Sequence, residues 1–310
     1  MKILATLVLV FAAASLPAQD WAKAALEKSP RHREYVALKH GDRTVQAFVV
    51  YPEVSHKAPV IVMIHEIFGL SDWAKEMADE LAAQGYIVVA PDLLSGAGPN
   101  GGGSDAFASQ DQVTKAVSGL NADQVMADLD AAADYGKKIP SANGKIFVAG
   151  FCWGGGKSFA FATRRHELSA AFVFYGTPPA DVTTITAPVY GFYAGNDARI
   201  TATVPATTDA MKAAGKKYEP VTYDGAGHGF MRAGQAPDAN DANKKAYEDG
   251  FKRLTTLIDK LNAGSDSRLQ KPVRARSAQA KPVVAAVSCH DMTPPSDGQH
   301  EEKMDMAAIM

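Results

Sequence analysis

The chain has 310 residues, 46% of them hydrophobic, which is enough to bury a full core in one domain of roughly 240 residues flanked by tails. Its 32 basic and 34 acidic residues give a net charge of −2 and are interspersed, which argues against nucleic acid or an anionic surface as a partner. We expect a small-molecule substrate and a monomeric protein, with no cofactor and no metal.

The first 18 residues have the pattern of a signal peptide. Lys2 supplies the positive charge, residues 3–16 are small and apolar, and Leu16-Pro17-Ala18 offers a cleavage site before Gln19. The apolar run is short for a bilayer span, and no second run follows it, which favours export over a membrane anchor. We therefore predict a periplasmic or secreted protein that begins near Gln19 and is not bound to a membrane.

From about residue 33 to residue 262, strand-like and helix-like segments alternate, which is typical of an α/β fold with a mostly parallel sheet covered by helices on both faces. Alternation and apolar runs predict strands at 35–38, 45–51, 59–64, 86–90, 145–149, 170–175, 187–194 and 218–223. Helices are predicted at 73–84, at 112–138 as one long or two joined helices, at 206–214 and at 241–261.

The segment Gly150-x-Cys152-x-Gly154 has the spacing of a nucleophile elbow. A residue on such a strand-to-helix turn has strained backbone angles, and its neighbours two positions away must lack side chains for the turn to close. The thiol then stands at the strand end, where the helix N-terminal amides favour the thiolate. Taken alone, the motif equally fits a small buried cysteine beside a glycine run. The other cysteine, Cys289, falls in the predicted tail, so we expect two free thiols rather than a disulfide.

An acid and a histidine follow Cys152 in the order expected of hydrolases built on this elbow. Asp197 comes just after the apolar run 189–194, and His228 comes just after the strand-like segment 221–223. Each could be an ordinary loop residue. In this joint order, at strand ends where ligands gather in open α/β sheets, they favour a catalytic triad.

The loop after the strand at 59–64 has the position that supplies one oxyanion-hole amide in the α/β-hydrolase plan. The residue after the nucleophile supplies the other amide. We therefore predict that the backbone N–H groups of Ile67 and Trp153 bind the oxyanion. The Trp153 side chain could equally narrow the pocket or pack in the core.

Over residues 47–261 the sequence resembles the dienelactone hydrolase family (carboxymethylenebutenolidases). The motifs that carry the resemblance are Glu66-Ile67-Phe68-Gly69, Pro91-Asp92-Leu93, the Cys152 elbow, Asp197 and His228-Gly229-Phe230. The resemblance implies a triad of Cys152, Asp197 and His228. It also implies that Glu66 interacts with the resting thiol, and releases it or takes its proton when substrate binds. Desolvation beside Phe68 would raise the proton affinity of Glu66 accordingly; the alternative is that Glu66 merely caps the following helix.

Family members that act on dienelactone hold its carboxylate with two arginines. Arg232 matches the one that closely follows the histidine, whereas residues 91–96 contain no arginine to match the other. Half of a bidentate clamp is therefore missing, which puts dienelactone itself in doubt but not the cleavage of an ester-like bond. Arg232 and Phe68 are the predicted substrate-binding residues.

These observations predict three segments: a signal peptide (1–18), one α/β-hydrolase domain (19–263) and a disordered tail (264–310) rich in Ser, Gln, Lys, Arg, Pro and Ala. The predicted function is that of an exported cysteine-dependent hydrolase of small carboxylic esters or lactones, acting through an acyl-enzyme. The alternative is a catalytically lapsed α/β-hydrolase-fold protein that binds ligands or senses redox state through its thiol. The complete triad favours the enzyme.

Overall fold

The structure, a computed structural model, describes residues 19–266. Eight strands form one sheet in the order β1-β2-β4-β3-β5-β6-β7-β8. Their bounds are β1 Arg33–His40, β2 Arg43–Val50, β3 Ala58–Ile64, β4 Ile87–Pro91, β5 Ala142–Phe151, β6 Ala170–Phe174, β7 Val189–Ala194 and β8 Tyr218–Tyr223. The β1–β2 and β2–β4 pairs are antiparallel and all other pairs are parallel. This confirms the predicted mostly parallel sheet.

Helices cover both faces of the sheet. They are α1 Asp20–Lys28, α2 Asp72–Ala83, α3 Gln110–Ser118, α4 Ala122–Lys138, α5 Trp153–Arg164, α6 Ala198–Thr201, α7 Val204–Ala213, α8 Phe230–Ala233 and α9 Asp241–Asp266. Along β3, alternate residues enter different cores: Ile61 packs with residues of α2 and α9, and Val62 packs with residues of α4 and α5. Strands covered on both faces have continuous apolar sequences, and this is why the sequence predicts them well.

Several helices differ from the sequence prediction, and the short helices α6 and α8 are absent from it. The predicted segment 112–138 is two helices, because the side chain of Asn121 caps α4 by accepting a hydrogen bond from the backbone N–H of Gln124 at 3.0 Å. Helix α1 was not predicted; it buries Ala22 and Leu26 in the core that contains α2. Helix α9 continues to Asp266, beyond its predicted end at 261.

The predicted signal peptide and the predicted tail beyond residue 266 lie outside the described residues. The proposed boundaries of the domain therefore stay a prediction. None of the helices within residues 19–266 combines the length and apolarity needed to cross a membrane.

The carboxyl ends of the parallel strands meet at one edge of the sheet, where ligands bind in open α/β folds. The loops that leave β3, β5, β6, β7 and β8 at this edge carry, in that order, Glu66, Cys152, Tyr175, Asp197 and His228. The topology thus brings together polar residues as far apart in the sequence as Glu66 and His228. This edge is the candidate site.

Candidate active site

Cys152 alone separates β5 from α5, and its backbone angles are φ +55° and ψ −116°. A non-glycine residue in such a conformation costs about 1–3 kcal/mol and persists only where its surroundings enforce it. A Cβ atom on Gly150 would lie 2.0 Å from the carbonyl oxygen of Gly154, and one on Gly154 would lie 2.4 Å from the carbonyl oxygen of His65. The two glycines are therefore required for the turn that holds the thiol at the end of the strand.

The three predicted triad residues lie in one hydrogen-bonded chain. His228 Nε2 is 3.0 Å from Cys152 Sγ, and His228 Nδ1 is 2.5 Å from Asp197 Oδ2. The hydrogen bond to Cys152 raises the pKa of His228 to about 9; Asp197 acts in the same direction, and burial opposes both. The ring edge of buried Tyr175 packs against the imidazole with 5.0 Å between ring centroids. The site thus favours a charged imidazolium beside the sulfur.

The backbone around Asp197 and His228 fixes their side chains. Asp197 is the N-cap of α6, and its Oδ1 accepts a hydrogen bond from the backbone N–H of Ile200 at 3.4 Å. Its two carboxylate oxygens therefore have different partners. In the loop before His228, the N–H of Gly227 donates to Oδ1 of Asn243 at 2.9 Å, which ties the loop to α9.

The backbone N–H groups of Ile67 and Trp153, predicted to bind the oxyanion, donate to none of residues 19–266, and both residues line the cleft at Cys152. His65 sets the orientation of the first amide. Its Nδ1 lies 2.7 Å from the carbonyl oxygen of Glu66, which also accepts from the N–H of Gly69 at 3.2 Å. Because the C=O and N–H of a trans peptide point in opposite directions, these two bonds turn the Ile67 N–H away from His65.

His65 is a residue that the sequence reasoning missed. It is fully buried, and burial lowers the pKa of His65, so the ring is neutral with its proton on Nδ1. Its Nε2 has no partner among the described side chains and backbone, and the ring stacks on the Trp153 indole with 5.6 Å between centroids. The available signal was a polar residue at the end of the fully buried strand β3, where solvent cannot satisfy it.

Glu66 is only 3% exposed and pairs with Arg232 rather than with the thiol. Its Oε2 accepts from Arg232 Nε at 2.8 Å, and its Oε1 accepts from the Tyr175 hydroxyl at 3.3 Å. Burial raises the pKa of Glu66, although Arg232 acts to lower it. Glu66 does not cap the following helix, because the side chain of Ser71 caps α2.

The two predicted substrate-binding residues lie together, and Arg232 contacts both Phe68 and Glu66. The Arg232 guanidinium carbon is 4.9 Å from the centre of the Phe68 ring. Both residues line a neighbouring cleft that includes Ser71 and Asp105, and neither lines the cleft around Cys152. Their role in substrate binding stays a prediction.

The cleft around Cys152 has a volume of about 510 Å³ and includes Ile67, Trp153, Tyr175 and His228. Asp92 of the Pro91-Asp92-Leu93 motif belongs to a hydrogen-bond network near this cleft. Asp92 accepts from the N–H and hydroxyl of Ser104 at 2.7 and 2.6 Å, and the Ser104 oxygen accepts from the N–H of Leu70 at 2.9 Å. This network ties the loop after β4 to the loop that carries Ile67. Within residues 19–266, no group of three His, Cys, Asp or Glu side chains could hold a metal ion.

A cysteine elbow, a hydrogen-bonded His–Asp pair and two free amides at the carboxyl edge of a mostly parallel sheet define an enzyme of the α/β-hydrolase fold. The sequence profile of the dienelactone hydrolase family matches residues 45–261. The chain belongs to that family, as the motifs at Glu66, Asp92 and Cys152 predict.

Individual relatives agree with this. A carboxymethylenebutenolidase homologue from Salmonella typhi is 34% identical over 227 residues, which cover 67% of this chain and 80% of that protein. The carboxymethylenebutenolidase of Pseudomonas putida is 29% identical over 216 residues, or 66% of this chain and 88% of that protein. The fold matches that of a dienelactone hydrolase homologue from Klebsiella pneumoniae subsp. pneumoniae MGH 78578 with a TM-score of 0.63 at 24% identity, covering 73% of this chain and 97% of that one. Family membership makes the chain a hydrolase of the ester- and lactone-cleaving class.

Proposed function

We propose that the chain hydrolyses small carboxylic esters or lactones through a thioester on Cys152. The observation that carries the proposal is the hydrogen-bonded chain from Asp197 through His228 to the sulfur, with distances of 2.5 and 3.0 Å. Such a nucleophile, base and orienting acid are the parts that nucleophilic acyl transfer needs. The strained backbone at Cys152, which the two glycines of the elbow enforce, supports this role further.

In the first half of the reaction, the thiol proton moves to His228 Nε2, and Asp197 stabilises the imidazolium through Nδ1–H. The thiolate attacks the carbonyl carbon, a C–S bond forms, and the carbonyl electron pair moves onto oxygen. The N–H groups of Ile67 and Trp153 donate to this oxyanion. When the intermediate collapses, the C–O bond to the leaving group breaks, and His228 Nε2–H protonates the leaving oxygen. A lactone opens in the same step, and its hydroxyl stays attached to the acyl group.

In the second half, His228 accepts a proton from water as the water oxygen attacks the thioester carbonyl. The same two amides hold the second oxyanion, and its collapse breaks the C–S bond and releases the carboxylic acid. We infer that the ion pair with Arg232 holds Glu66 away from the sulfur in this arrangement, since Arg232 Nε lies 2.8 Å from Glu66 and the sulfur is paired with His228. The thiol is then available to its base.

We further propose that the protein acts outside the cytoplasm and as a monomer. The support for export is the N-terminal pattern of Lys2, an apolar run and a Pro-Ala cleavage site. Cell fractionation and N-terminal sequencing of the exported protein test this, with a new N-terminus near Gln19 expected. Elution at the monomer position in size-exclusion chromatography tests the oligomeric state.

The test of the reaction is Cys152→Ala, with Cys289→Ala as the matched control at the other cysteine. With p-nitrophenyl acetate and a simple lactone, we expect C152A to lose about 10³-fold or more in kcat/KM and C289A to lose nothing. Rapid quenching and mass spectrometry of C289A should find the acyl group on the peptide that contains residue 152. Turnover by C152A within about tenfold of wild type would exclude the thioester mechanism.

A further inference from the structure

The cleft at Cys152 continues along one face of helix α5. Trp153, Gly156, Lys157 and Ala160 all line it, and all four are half-buried, whereas α5 buries its other face in the core. Residues three, four and seven positions apart lie on the same side of a helix, so the four form one wall. Because Cys152 is the N-cap of α5 and a helix rises about 1.5 Å per residue, this wall extends about 12 Å from the nucleophile to Ala160.

Two prolines form a second wall. Pro178-Pro179, in the loop that follows β6, lines the same cleft, and a proline has no backbone N–H to donate to a ligand. The loop is held against α5, because the hydroxyl of Thr184 donates to the carbonyl oxygen of Thr163 at 2.9 Å. A Cβ atom on Gly156 would lie 3.0 Å from Oγ1 of Thr177, so α5 and the loop approach closely there. We call the space along these two walls the α5 groove.

The walls of the α5 groove are mainly apolar. Lys157, the charged residue of the helical wall, has its Nζ 5.1 Å from the centre of the Trp153 indole, and the ring face attracts the ammonium. Partial burial lowers the pKa of Lys157, and the aliphatic part of its side chain adds apolar surface. The Trp153 indole also stacks on the buried His65 ring at 5.6 Å, which fixes its position. Arg199, the other cation that lines the cleft, is exposed and therefore hydrated.

The triad decides which part of an ester enters the groove. His228 Nε2 must reach the leaving oxygen to protonate it, so the leaving group lies at the imidazole. In the proposed mechanism the carbonyl oxygen faces the N–H groups of Ile67 and Trp153. The acyl chain is the remaining substituent of the carbonyl carbon, and the α5 groove, which begins at the sulfur, is open to it.

We propose that the α5 groove binds an apolar acyl chain of the substrate, and that Ala160 limits the length of this chain. This inference rests on the proposed function, since it assigns the substrate class of the same site. A groove of about 12 Å accommodates a chain of about six to eight carbon atoms. Each CH₂ group that moves from water into such a groove favours binding by a factor of about two to four. The enzyme should therefore prefer esters of medium-chain, unbranched acids to acetates.

The first experiment measures kcat/KM for p-nitrophenyl acetate, butyrate, hexanoate and octanoate. We expect the wild type to gain about two- to fourfold per CH₂ from acetate to hexanoate. Ala160→Phe places a ring at the end of the groove and should lower the hexanoate-to-acetate ratio about tenfold or more. Ala160→Leu, a smaller change that the fold accommodates more easily, should lower it less. Ala127→Phe should leave the ratio unchanged; it is the matched control, because Ala127 is a half-buried alanine of α4 that does not line the cleft.

Two isomeric esters show which side of the ester bond occupies the groove. Ethyl hexanoate carries its long chain on the acyl side, and hexyl acetate carries it on the alcohol side. We expect Ala160→Phe to lower kcat/KM for ethyl hexanoate about tenfold relative to hexyl acetate. A loss confined to hexyl acetate would overturn the assignment of the groove to the acyl chain.

A third experiment does not depend on turnover. In a Cys289→Ala background, iodoacetamide and N-hexyl iodoacetamide alkylate Cys152 by the same displacement: the thiolate forms an S–C bond and iodide leaves. They differ in that only the second reagent carries an apolar chain. We expect Ala160→Phe to lower the rate ratio of the N-hexyl reagent to iodoacetamide about threefold to tenfold, and Ala127→Phe to leave it unchanged.

The outcomes separate this inference from the proposed function. A wild type that prefers acetate to hexanoate, or ester and alkylation ratios that Ala160→Phe does not change, would overturn the acyl groove while leaving the hydrolase intact. An alkylation ratio that falls as expected in a protein whose C152A variant still turns over esters at the wild-type rate would support the groove and overturn the thioester mechanism.

Discussion

Asp197→Asn removes the negative charge behind His228 without removing the cap of α6. Asp197 Oδ1 accepts from the N–H of Ile200, and its Oδ2 faces His228 Nδ1. In the asparagine variant the amide oxygen keeps the first position, because only an acceptor satisfies the Ile200 N–H. The amide NH₂ must then face His228 Nδ1 and donate to it. The imidazole is forced to carry its proton on Nε2, which is the wrong tautomer for accepting a proton from the thiol.

Two terms set the size of the effect. A rise in the pKa of His228 from 6.5 to about 9 corresponds to about 3.4 kcal/mol. The hydrogen bond to Cys152 is the largest cause, and the His228 side chain is 33% exposed, so we assign only about 1–1.5 kcal/mol to Asp197 after allowing for solvent screening. The wrong tautomer adds about 2 kcal/mol, the cost of an unmade buried hydrogen bond. Together they predict a loss of about 10²- to 10³-fold in kcat/KM.

The assay is hydrolysis of a simple lactone or alkyl ester, whose alkoxide leaving group needs a proton, between about pH 6 and pH 10. In the wild type, activity should fall above about pH 9 as the imidazolium that protonates the leaving group is lost. In D197N this fall should begin at lower pH. Thermal denaturation supplies the control: the folded pKa of His228 exceeds its ordinary 6.5, so its contribution to stability is complete below about pH 6.5 and is lost as the pH rises through about 9. A D197N enzyme within about threefold of wild type, with an unchanged pH profile, would refute the triad.

Two further substitutions test the groups around the triad. Arg232→Gln leaves the Glu66 carboxylate buried without its partner, so the free energy of unfolding should fall by about 3 kcal/mol in urea titrations. Arg232 acts to lower the pKa of Glu66, which burial raises, so without Arg232 the folded pKa rises further and the loss should grow as the pH rises; a loss that does not vary with pH would contradict the pairing. Gly154→Ala places a Cβ 2.4 Å from the carbonyl oxygen of His65, and should lower the free energy of unfolding by at least about 2 kcal/mol; alanine at Gly264, where a Cβ meets nothing within 4 Å and the backbone is helical, is the control for steric clash.

The sequence predicts those parts of the fold that depend on burial along one strand. Apolar runs locate β3 and β4 because both faces of these strands are covered, and the antiparallel β1–β2 hairpin follows from alternation at period two. Helix α1 escapes prediction because only Ala22 and Leu26 of its nine residues are buried. The end of α9 is missed because Gly264, a frequent helix stop, lies within the helix.

Some residues of the candidate site can likewise be predicted from the sequence, and others cannot. Cys152, Asp197 and His228 can be found in the sequence because each follows a strand and their chain order is fixed by the fold. Tyr175 carries no such signal, because aromatic residues are common in strands. The four-residue spacing from His228 to Arg232 likewise does not predict that the Arg232 guanidinium binds Glu66. Contacts between loops decide these positions, and a sequence pattern along one element does not encode them.

The charged side chains at the carboxyl edge of the sheet form two groups. Arg232 and Glu66 neutralise each other at 2.8 Å, and the His228 imidazole lies between the Cys152 sulfur and the Asp197 carboxylate in a second group. Tyr175 contacts both groups, because its hydroxyl donates to Glu66 and its ring packs against the His228 imidazole. In the proposed mechanism, activation of the nucleophile depends on His228 and Asp197, so a substitution at Arg232 should act on the triad only through Glu66 and Tyr175.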